Sequence, residues 1–222
     1  MSKKAVVLLS GGLDSATTLY VAKKQDFECC CLIFDYGQRH RREIESAKHI
    51  AQKAKCKWQV VKITFPWKGS ALLDRRALLP QRRLGQIPRE IPSTYVPARN
   101  TIFLSFALSY AETIGAQSIF IGANAVDFSG YPDCRPKYYS EFNRLSQLAT
   151  KAGAGGRSIK IFTPLINKTK REIILLARRL KVPLHLTWSC YKGMNKPCGL
   201  CDSCLLRARG FAQAGIKDPL IQ

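Results

Sequence analysis

One segment near the start of the chain constrains the fold more than any other: a strand pattern that ends in paired glycines. The apolar residues 5–9 lead directly into Ser10-Gly11-Gly12-Leu13-Asp14-Ser15, and a helical pattern follows at once. Glycines at the end of a buried strand let backbone N–H groups approach phosphate oxygens closely, and the N-terminus of the next helix adds a partial positive charge. The segment therefore predicts a phosphate-binding loop in an α/β protein.

The spacing of the glycines distinguishes this loop from the two commonest phosphate loops. The dinucleotide-binding fingerprint needs a third glycine, and the Walker loop needs Gly-Lys followed by Ser or Thr. The segment instead resembles the pyrophosphate loop of ATP-pyrophosphatases, which split ATP into AMP and pyrophosphate. The alternative is an ordinary strand-to-helix turn capped by Asp14 or Ser15, although capping does not require the paired glycines.

Strand and helix patterns alternate along most of the chain. Strands are predicted at residues 5–9, 29–34, 58–63, 118–121 and 159–162, and helices at residues 15–24, 39–53, 99–114, 138–151 and 168–180. This alternation predicts an α/β fold with a doubly wound, mostly parallel five-stranded sheet and right-handed crossovers. Five prolines interrupt the pattern over residues 66–97, where only a short helix near residues 71–79 is expected.

Polar clusters follow four of the predicted strands, at residues 10–15, 35–40, 124–135 and 163–170. In open parallel sheets, ligands bind at the carboxyl ends of the strands, where the strand order reverses. The four clusters are therefore expected to form one site.

Composition limits the cellular compartment that is expected for the protein but does not identify its ligand. The 222 residues carry a formal net charge of +21, which suits nucleic acid or an anionic small substrate. The basic residues are dispersed, however, and no run reaches the length of a basic tail. No apolar stretch is long enough to span a bilayer, and no signal peptide is expected before the first strand. Nine cysteines, an odd number, argue against a disulfide framework, so a cytoplasmic protein with reduced thiols is expected.

Four of the cysteines are spaced like the ligands of a metal ion near the end of the chain. They are Cys190, Cys198, Cys201 and Cys204. Zinc is favoured because four thiolates saturate it, which makes the site structural. An iron–sulfur cluster and unrelated core or redox cysteines are the alternatives. The remaining five show no such spacing and are not expected to be ligands: Cys29, Cys30, Cys31, Cys56 and Cys134.

Taken together, the motifs resemble the 7-cyano-7-deazaguanine synthase family of queuosine biosynthesis. The matching segments, besides the glycine loop, are Tyr36-Gly37-Gln38-Arg39-His40, Val96-Pro97-Ala98-Arg99-Asn100, Gly130-Tyr131-Pro132-Asp133-Cys134-Arg135, Trp188-Ser189-Cys190-Tyr191 and Cys198-Gly199-Leu200-Cys201-Asp202-Ser203-Cys204. The likeness covers nearly the whole chain, with residues 75–89 matching least well. It implies an adenine nucleotide alpha-hydrolase-like fold, with an ATP-pyrophosphatase domain at residues 1–187 and a zinc-binding segment at residues 188–222 packed on it.

The resemblance implies a reaction in which 7-carboxy-7-deazaguanine, ammonia and two ATP give the nitrile 7-cyano-7-deazaguanine, with AMP and pyrophosphate. A carboxylate is a poor electrophile, and transfer of AMP to it creates a leaving group that ammonia displaces to give an amide. A second adenylation, on the amide oxygen, followed by loss of AMP leaves the carbon–nitrogen triple bond. Mg²⁺ beside the phosphates, free ammonia and a homodimer are also implied.

Site residues follow from the resemblance and from the strand-end clusters. The expected catalytic residues are Asp14, Arg99, Asp133, Arg135 and Lys170. The expected cofactor-binding residues are Leu9, Ser10, Gly11, Gly12, Leu13, Asp14, Ser15, Ala16, Thr17, Tyr36, Gln38, Arg99, Asn100, Gly122, Asn124, Asp127 and Tyr131.

These residues are given distinct tasks. Arg99 is expected to clamp a phosphate, a carboxylate of the 127–135 loop to bind the guanine-like N–H groups, and Arg135 to pair with the substrate carboxylate. Tyr36 is expected to stack on a flat base, and His40 is a candidate proton carrier. The alternatives are a helix cap for Asp14, a solvated helix lysine for Lys170, plain packing for Tyr36 and an ordinary surface loop for 127–135.

Two other function classes compete with this interpretation. A tRNA-modifying ATP-pyrophosphatase, such as a lysidine synthetase or a thiouridylase, is favoured by the net charge, but no appended RNA-binding domain is expected from the sequence patterns. A zinc-ribbon module that binds nucleic acid would leave the glycine loop and the strand-end clusters without a purpose.

Overall fold

The sheet of the protein has five strands, all parallel. The computed structural model describes residues 3–39, 41–67, 69–74, 76–80, 91–126 and 131–221. Within them the strands are β1 (Lys3–Leu8), β2 (Phe27–Asp35), β3 (Lys57–Lys62), β4 (Ser118–Ile121) and β5 (Lys160–Phe162). Their order across the sheet is β3-β2-β1-β4-β5. The predicted doubly wound α/β class is confirmed.

Helices cover both faces of this sheet. They are α1 (Leu13–Lys24), α2 (Arg42–Lys53), α3 (Arg99–Ile114), α4 (Pro136–Ala149), α5 (Lys151–Ala154), α6 (Lys170–Arg179) and α7 (Asp202–Ala214). Short 3₁₀ turns lie at Pro132–Cys134 and Leu184–Leu186. No helix in the described part of the chain combines the length and the apolar character that a membrane span requires.

The core is divided into two layers because side chains alternate along each strand. In β1, Ala5 and Val7 belong to the layer formed with α1, α2, α6 and α7, whereas Val6 and Leu8 belong to the layer formed with α3 and α4. A strand buried on both sides needs a continuous apolar run, which explains the sequence of β1.

The strand order reverses at β1. The chain passes outward from β1 to β2 and β3, then returns to place β4 on the other side of β1. The carboxyl ends of β1 and β4 therefore border a crevice, where open α/β sheets bind their ligands. The glycine loop follows β1 at this point, and Gly122 follows β4.

The structure corrects three details of the sequence interpretation. The described part of residues 71–79 forms turns rather than a helix, and Arg39 donates to the carbonyls of Asp74 and Ala77 there, at 3.1 and 2.5 Å. The helix expected to run to residue 151 ends at Ala149, because Thr150 adopts extended backbone and its hydroxyl accepts the Gly153 N–H. Helix α7 was missed because its segment was interpreted only as a carrier of metal ligands.

Candidate active site

A cavity of about 320 Å³ opens at the carboxyl ends of the central strands. Its floor is apolar and comes from the ends of β1 and β2, including Leu8, Ile33 and Phe34. Its polar wall is assembled from the glycine loop (residues 10–15), the starts of α2, α3 and α6, and the cysteine segment (residues 188–204). All four predicted clusters, at residues 10–15, 35–40, 124–135 and 163–170, contribute lining residues, as expected from the topology.

Hydrogen bonds within the glycine loop fix its conformation. The Ser15 hydroxyl accepts from the Ser10 backbone N–H at 3.2 Å and from the Ser10 hydroxyl at 3.0 Å, and donates to the Gly12 carbonyl at 3.1 Å. Leu9, Ser10, Gly12, Leu13, Asp14 and Ser15 line the cavity. The loop therefore meets the cavity at the N-terminus of α1.

Two glycines let neighbouring backbone pack against this loop. Gly11 has a φ of +85°, and a Cβ built on it would lie 2.2 Å from the Glu43 carbonyl oxygen, so α2 packs directly on the loop. A Cβ on Gly122 would lie 2.9 Å from the Ser15 nitrogen. Gly11 and Gly122 therefore serve the shape of the loop, and Gly11 itself does not line the cavity in the described chain.

Lys170 and Asp14 form an ion pair beside the glycine loop. The Lys170 ammonium donates to both carboxylate oxygens of Asp14, at 2.9 and 2.8 Å. A capping box of Thr169 and Glu172 starts α6 immediately before Lys170, and Gly210 of α7 leaves room for the lysine stem. Both side chains of the pair line the cavity and are mostly buried, with 14% and 26% of the Lys170 and Asp14 side chains exposed.

Arg99 and Tyr36 form a second polar group. Arg99, the first residue of α3, donates to the Tyr36 hydroxyl at 3.3 Å, and its guanidinium lies 5.8 Å from the centre of the Tyr36 ring. Burial raises the pKa of Tyr36, so the phenol stays protonated at neutral pH. The arginine carries the permanent positive charge of this wall.

Several predicted residues are held by hydrogen bonds to backbone, and of these Gln38, Asn100 and Asn124 also line the cavity, whereas Asp133 does not. The Asp133 carboxylate accepts the Asn100 N–H at 3.0 Å and so caps α3, while the Asn100 amide donates to the Asp133 carbonyl at 3.1 Å. Gln38 accepts the Tyr36 N–H at 2.9 Å and donates to the Phe34 carbonyl at 3.2 Å. Asn124 donates to the Leu165 and Lys168 carbonyls, which ties the β4 loop to the start of α6.

The remaining predicted residues lie around the cavity or away from it. Tyr131 lines it and shares a 3.1 Å hydrogen bond with Thr94. Arg135 is exposed and does not line the cavity, and Ala16 and Thr17 are buried inside α1, behind the loop. Asp127 and His40 lie outside the described residues.

Glu43 and Tyr191 are among the lining residues to which sequence interpretation assigned no role. Burial raises the pKa of the Glu43 carboxyl to about 7, although the nearby Arg99 charge opposes the rise. Burial also raises the pKa of the Tyr191 phenol well above its ordinary value. Tyr191 belongs to a motif segment and could have been selected on that ground. Glu43 lies in an ordinary amphipathic helix pattern, so nothing in the sequence distinguishes it from a surface glutamate.

The four predicted metal-ligating cysteines converge. The Sγ atoms of Cys190, Cys198, Cys201 and Cys204 all lie within 4.8 Å of one another. Backbone N–H groups of Cys198 and Leu200 point at the sulfurs of Cys190 and Cys198, at 3.3 and 3.5 Å. A compact set of four sulfurs with N–H donors fits a tetrahedral thiolate-bound ion. In the described chain this is the only group of three or more His, Cys, Asp or Glu side chains that converges closely enough to hold a metal.

The cysteine segment is also joined to the glycine loop. The Trp188 N–H donates to the Gly11 carbonyl at 2.9 Å. The Arg42 guanidinium lies 4.0 Å from the centre of the Trp188 ring and donates to the Met194 carbonyl at 3.1 Å. The cysteine segment therefore braces both the loop and the start of α2.

Comparison with solved structures first defines the class. An NMN synthetase from Francisella tularensis has a TM-score of 0.51 at 14% identity, over 97% of this chain and 79% of that one. A predicted subunit of a tRNA methyltransferase from Methanocaldococcus jannaschii has a TM-score of 0.50 at 16% identity, over 79% and 74%. At such identity the likeness shows the fold alone, a doubly wound α/β fold with a parallel sheet.

Sequence comparison then defines the family. The model of the queuosine biosynthesis protein QueC matches residues 4–215. A 7-cyano-7-deazaguanine synthase from Nostoc punctiforme is 56% identical over 98% of this chain and 99% of its own length. One from Acetivibrio thermocellus is 53% identical over 98% and 97%. The chain belongs to the QueC family, which confirms the predicted resemblance.

Proposed function

We propose that this chain is a 7-cyano-7-deazaguanine synthase, which converts 7-carboxy-7-deazaguanine and ammonia to the nitrile at the cost of two ATP, releasing AMP and pyrophosphate. The observation that carries the proposal is the 56% identity to a synthase of this name over essentially the full length of both chains. The glycine loop, the Lys170–Asp14 pair and Arg99 around one cavity support it.

In the first step, a substrate carboxylate oxygen attacks the α-phosphorus of ATP, and the bond to the β-phosphate oxygen breaks. The departing pyrophosphate is held by backbone N–H groups of residues 10–15 and by the N-terminus of α1. Lys170 is within reach of the same site and supplies further donors. This assigns Lys170 to phosphate binding, with Asp14 holding its ammonium in place.

Mg²⁺ prefers carboxylate oxygens, and Asp14 is a carboxylate of the glycine loop that lines the cavity. Asp14 would hold the ion through the lone pairs that its hydrogen bonds with Lys170 leave unused, and the ion supplies charge neutralisation on the phosphates when bound. Four convergent thiols fit zinc in a structural role, with Cys190, Cys198, Cys201 and Cys204 as its ligands.

In the second step, ammonia attacks the acyl adenylate, AMP leaves and a proton is lost, which gives the amide. The amide oxygen then attacks a second ATP, and pyrophosphate leaves again. Loss of AMP from the carbon and of the remaining N–H protons gives the nitrile. Arg99 faces the cavity with a permanent charge and is assigned to the phosphate that joins AMP to the substrate.

The test is pyrophosphate release from ATP by the purified chain with 7-carboxy-7-deazaguanine and ammonium. We expect release that depends on both, with AMP as the nucleotide product. Release that bulk tRNA stimulates and the free base does not would instead support a tRNA-modifying enzyme. No release in either case, with retention on nucleic acid, would support a binding module.

A further inference from the structure

This inference rests on the proposed function and concerns the side chain that recognises the base of the substrate. Among the described residues that line the cavity, only Asp14 and Glu43 carry carboxylates. Both oxygens of Asp14 accept hydrogen bonds from Lys170. Asp133, a carboxylate expected to do this, caps α3 instead.

The Glu43 carboxylate makes no hydrogen bond or ion pair within the described part of the chain. Its negative charge raises the pKa of Tyr36 and of Tyr191, which also line the cavity. The positive charge of Arg99 lowers the pKa of Glu43 itself. A carboxylate in such surroundings is costly unless donors reach it. Burial raises the pKa of Glu43 to about 7, which reflects the cost of placing its negative charge there.

The position of Glu43 is set from two sides. Its carbonyl oxygen packs against Gly11 of the glycine loop, so close that a Cβ there would lie 2.2 Å away. Its neighbour Arg42 is held by the Trp188 ring and the Met194 carbonyl of the cysteine segment. A residue clamped in this way can impose a fixed orientation on a ligand.

We propose that Glu43 determines base specificity, its two carboxylate oxygens accepting hydrogen bonds from the N1–H and the exocyclic 2-amino group of the 7-deazaguanine ring. These two donors lie side by side and match a carboxylate in a bidentate arrangement. Adenine presents an amino donor beside a ring-nitrogen acceptor, so the same carboxylate repels it. The negative charge of Glu43 also repels phosphates, so this side chain favours the base over a phosphate.

The experiment compares wild type with Glu43→Gln, using 7-carboxy-7-deazaguanine and its analogue without the 2-amino group. Glu45→Gln is the matched control, because Glu45 lies on the same helix but is exposed and pairs with Lys48. For Glu43→Gln we expect KM for the natural base to rise about 10- to 100-fold, the loss of a charged hydrogen-bond acceptor. KM for ATP and for ammonium should stay unchanged.

Wild type and Glu45→Gln should both prefer the amino-bearing base, and Glu43→Gln should lose or reverse that preference. Glu43→Asp keeps both oxygens and should keep the preference with a raised KM, which provides a second test if Glu43→Gln folds poorly. A fall in kcat alone would make Glu43 a proton acceptor, and a raised KM for ammonium or ATP would assign it to those ligands. Each of these results overturns the proposal. A wild-type enzyme inactive on both bases would refute the proposed function instead.

Discussion

In the glycine loop and the motif segment beside it, the space around a position limits which amino acid can occupy it as much as charge does. Gly11 and Gly37 both have positive φ, +85° and +78°, and both lie in motif segments. A Cβ on Gly37 would meet nothing within 4 Å, whereas one on Gly11 would collide with the backbone of Glu43 and Ala47. The two glycines therefore separate the effect of conformation from that of close packing.

Gly11→Ala should be far more damaging than Gly37→Ala. A left-handed conformation costs a non-glycine residue about 1–2 kcal/mol, and both variants bear that cost. Gly11→Ala must in addition push α2 off the loop, so we expect loss of ATP-dependent activity and a much lower Tm. Thermal unfolding and pyrophosphate release measure both effects. Equal destabilisation by the two variants would contradict the packing described here.

The raised pKa of Glu43 predicts a pH dependence of stability. Between its ordinary value of 4.5 and about 7, the folded protein keeps a proton on Glu43 that the unfolded chain has lost. The contribution of Glu43 to the free energy of unfolding therefore falls as pH rises through this range, and the penalty is complete above it.

Urea unfolding of wild type and Glu43→Gln, at about pH 5 and pH 7.5, measures this contribution by difference. We expect wild type to lose stability relative to Glu43→Gln as the pH rises. Glu45→Gln should show no such trend. A wild type that gains stability relative to Glu43→Gln would mean that the folded state favours the ionised carboxylate.

On the scale of elements, the segment after α7 is held to that helix by a buried, hydrogen-bonded ion pair. Arg207 of α7 makes two hydrogen bonds to Asp218, at 2.6 and 2.9 Å, and donates to the Thr187 hydroxyl at 2.8 Å. The side chains of the Arg207–Asp218 pair are each 5% exposed. Neither residue was singled out in the sequence, because a buried ion pair has no local pattern.

Asp218→Ala leaves the Arg207 charge buried without its partner. Removing one member of a buried pair costs about 3–5 kcal/mol, so we expect a large fall in the free energy of unfolding. Glu141→Ala is the control, since Glu141 pairs with Arg144 at the surface, where little stabilisation is expected. Chemical unfolding of both variants gives the comparison. Similar, small losses would mean that the end of the chain is not held by this pair.

The cysteine segment should depend on its metal. Elemental analysis is expected to find about one zinc per chain. Cys201→Ser should lose the metal and, because Trp188 joins this segment to Gly11, should also weaken ATP binding. Stoichiometric iron with visible colour would contradict the zinc assignment. Full metal retention by Cys201→Ser would contradict the ligand set.

For the whole molecule, periodic patterns determine what could be predicted. Strand and helix alternation was enough for the doubly wound sheet, and the four-cysteine spacing was enough for the cluster. Glu43 and the task of Asp133 depend on which helix start meets which loop in three dimensions, and no local pattern encodes that. Helix α7 was not predicted because its first turn contains Cys204 and the segment was interpreted only as part of the metal site.

The net charge of +21 is also a property of the whole chain. Few of its cations line the cavity, among them Arg39, Arg99 and Lys170, and they are accompanied there by the carboxylates of Asp14 and Glu43. A homodimer remains a prediction from the family resemblance, to be checked by the molecular mass in solution.

The most direct test of the account is mass spectrometry of the product formed from 7-carboxy-7-deazaguanine, ATP and nitrogen-labelled ammonium. We predict a nitrile that carries one labelled nitrogen, formed together with AMP and pyrophosphate. A product without the label, or cleavage of ATP to ADP, would contradict the transfer of AMP to the substrate acid on which the assignment of the site is built.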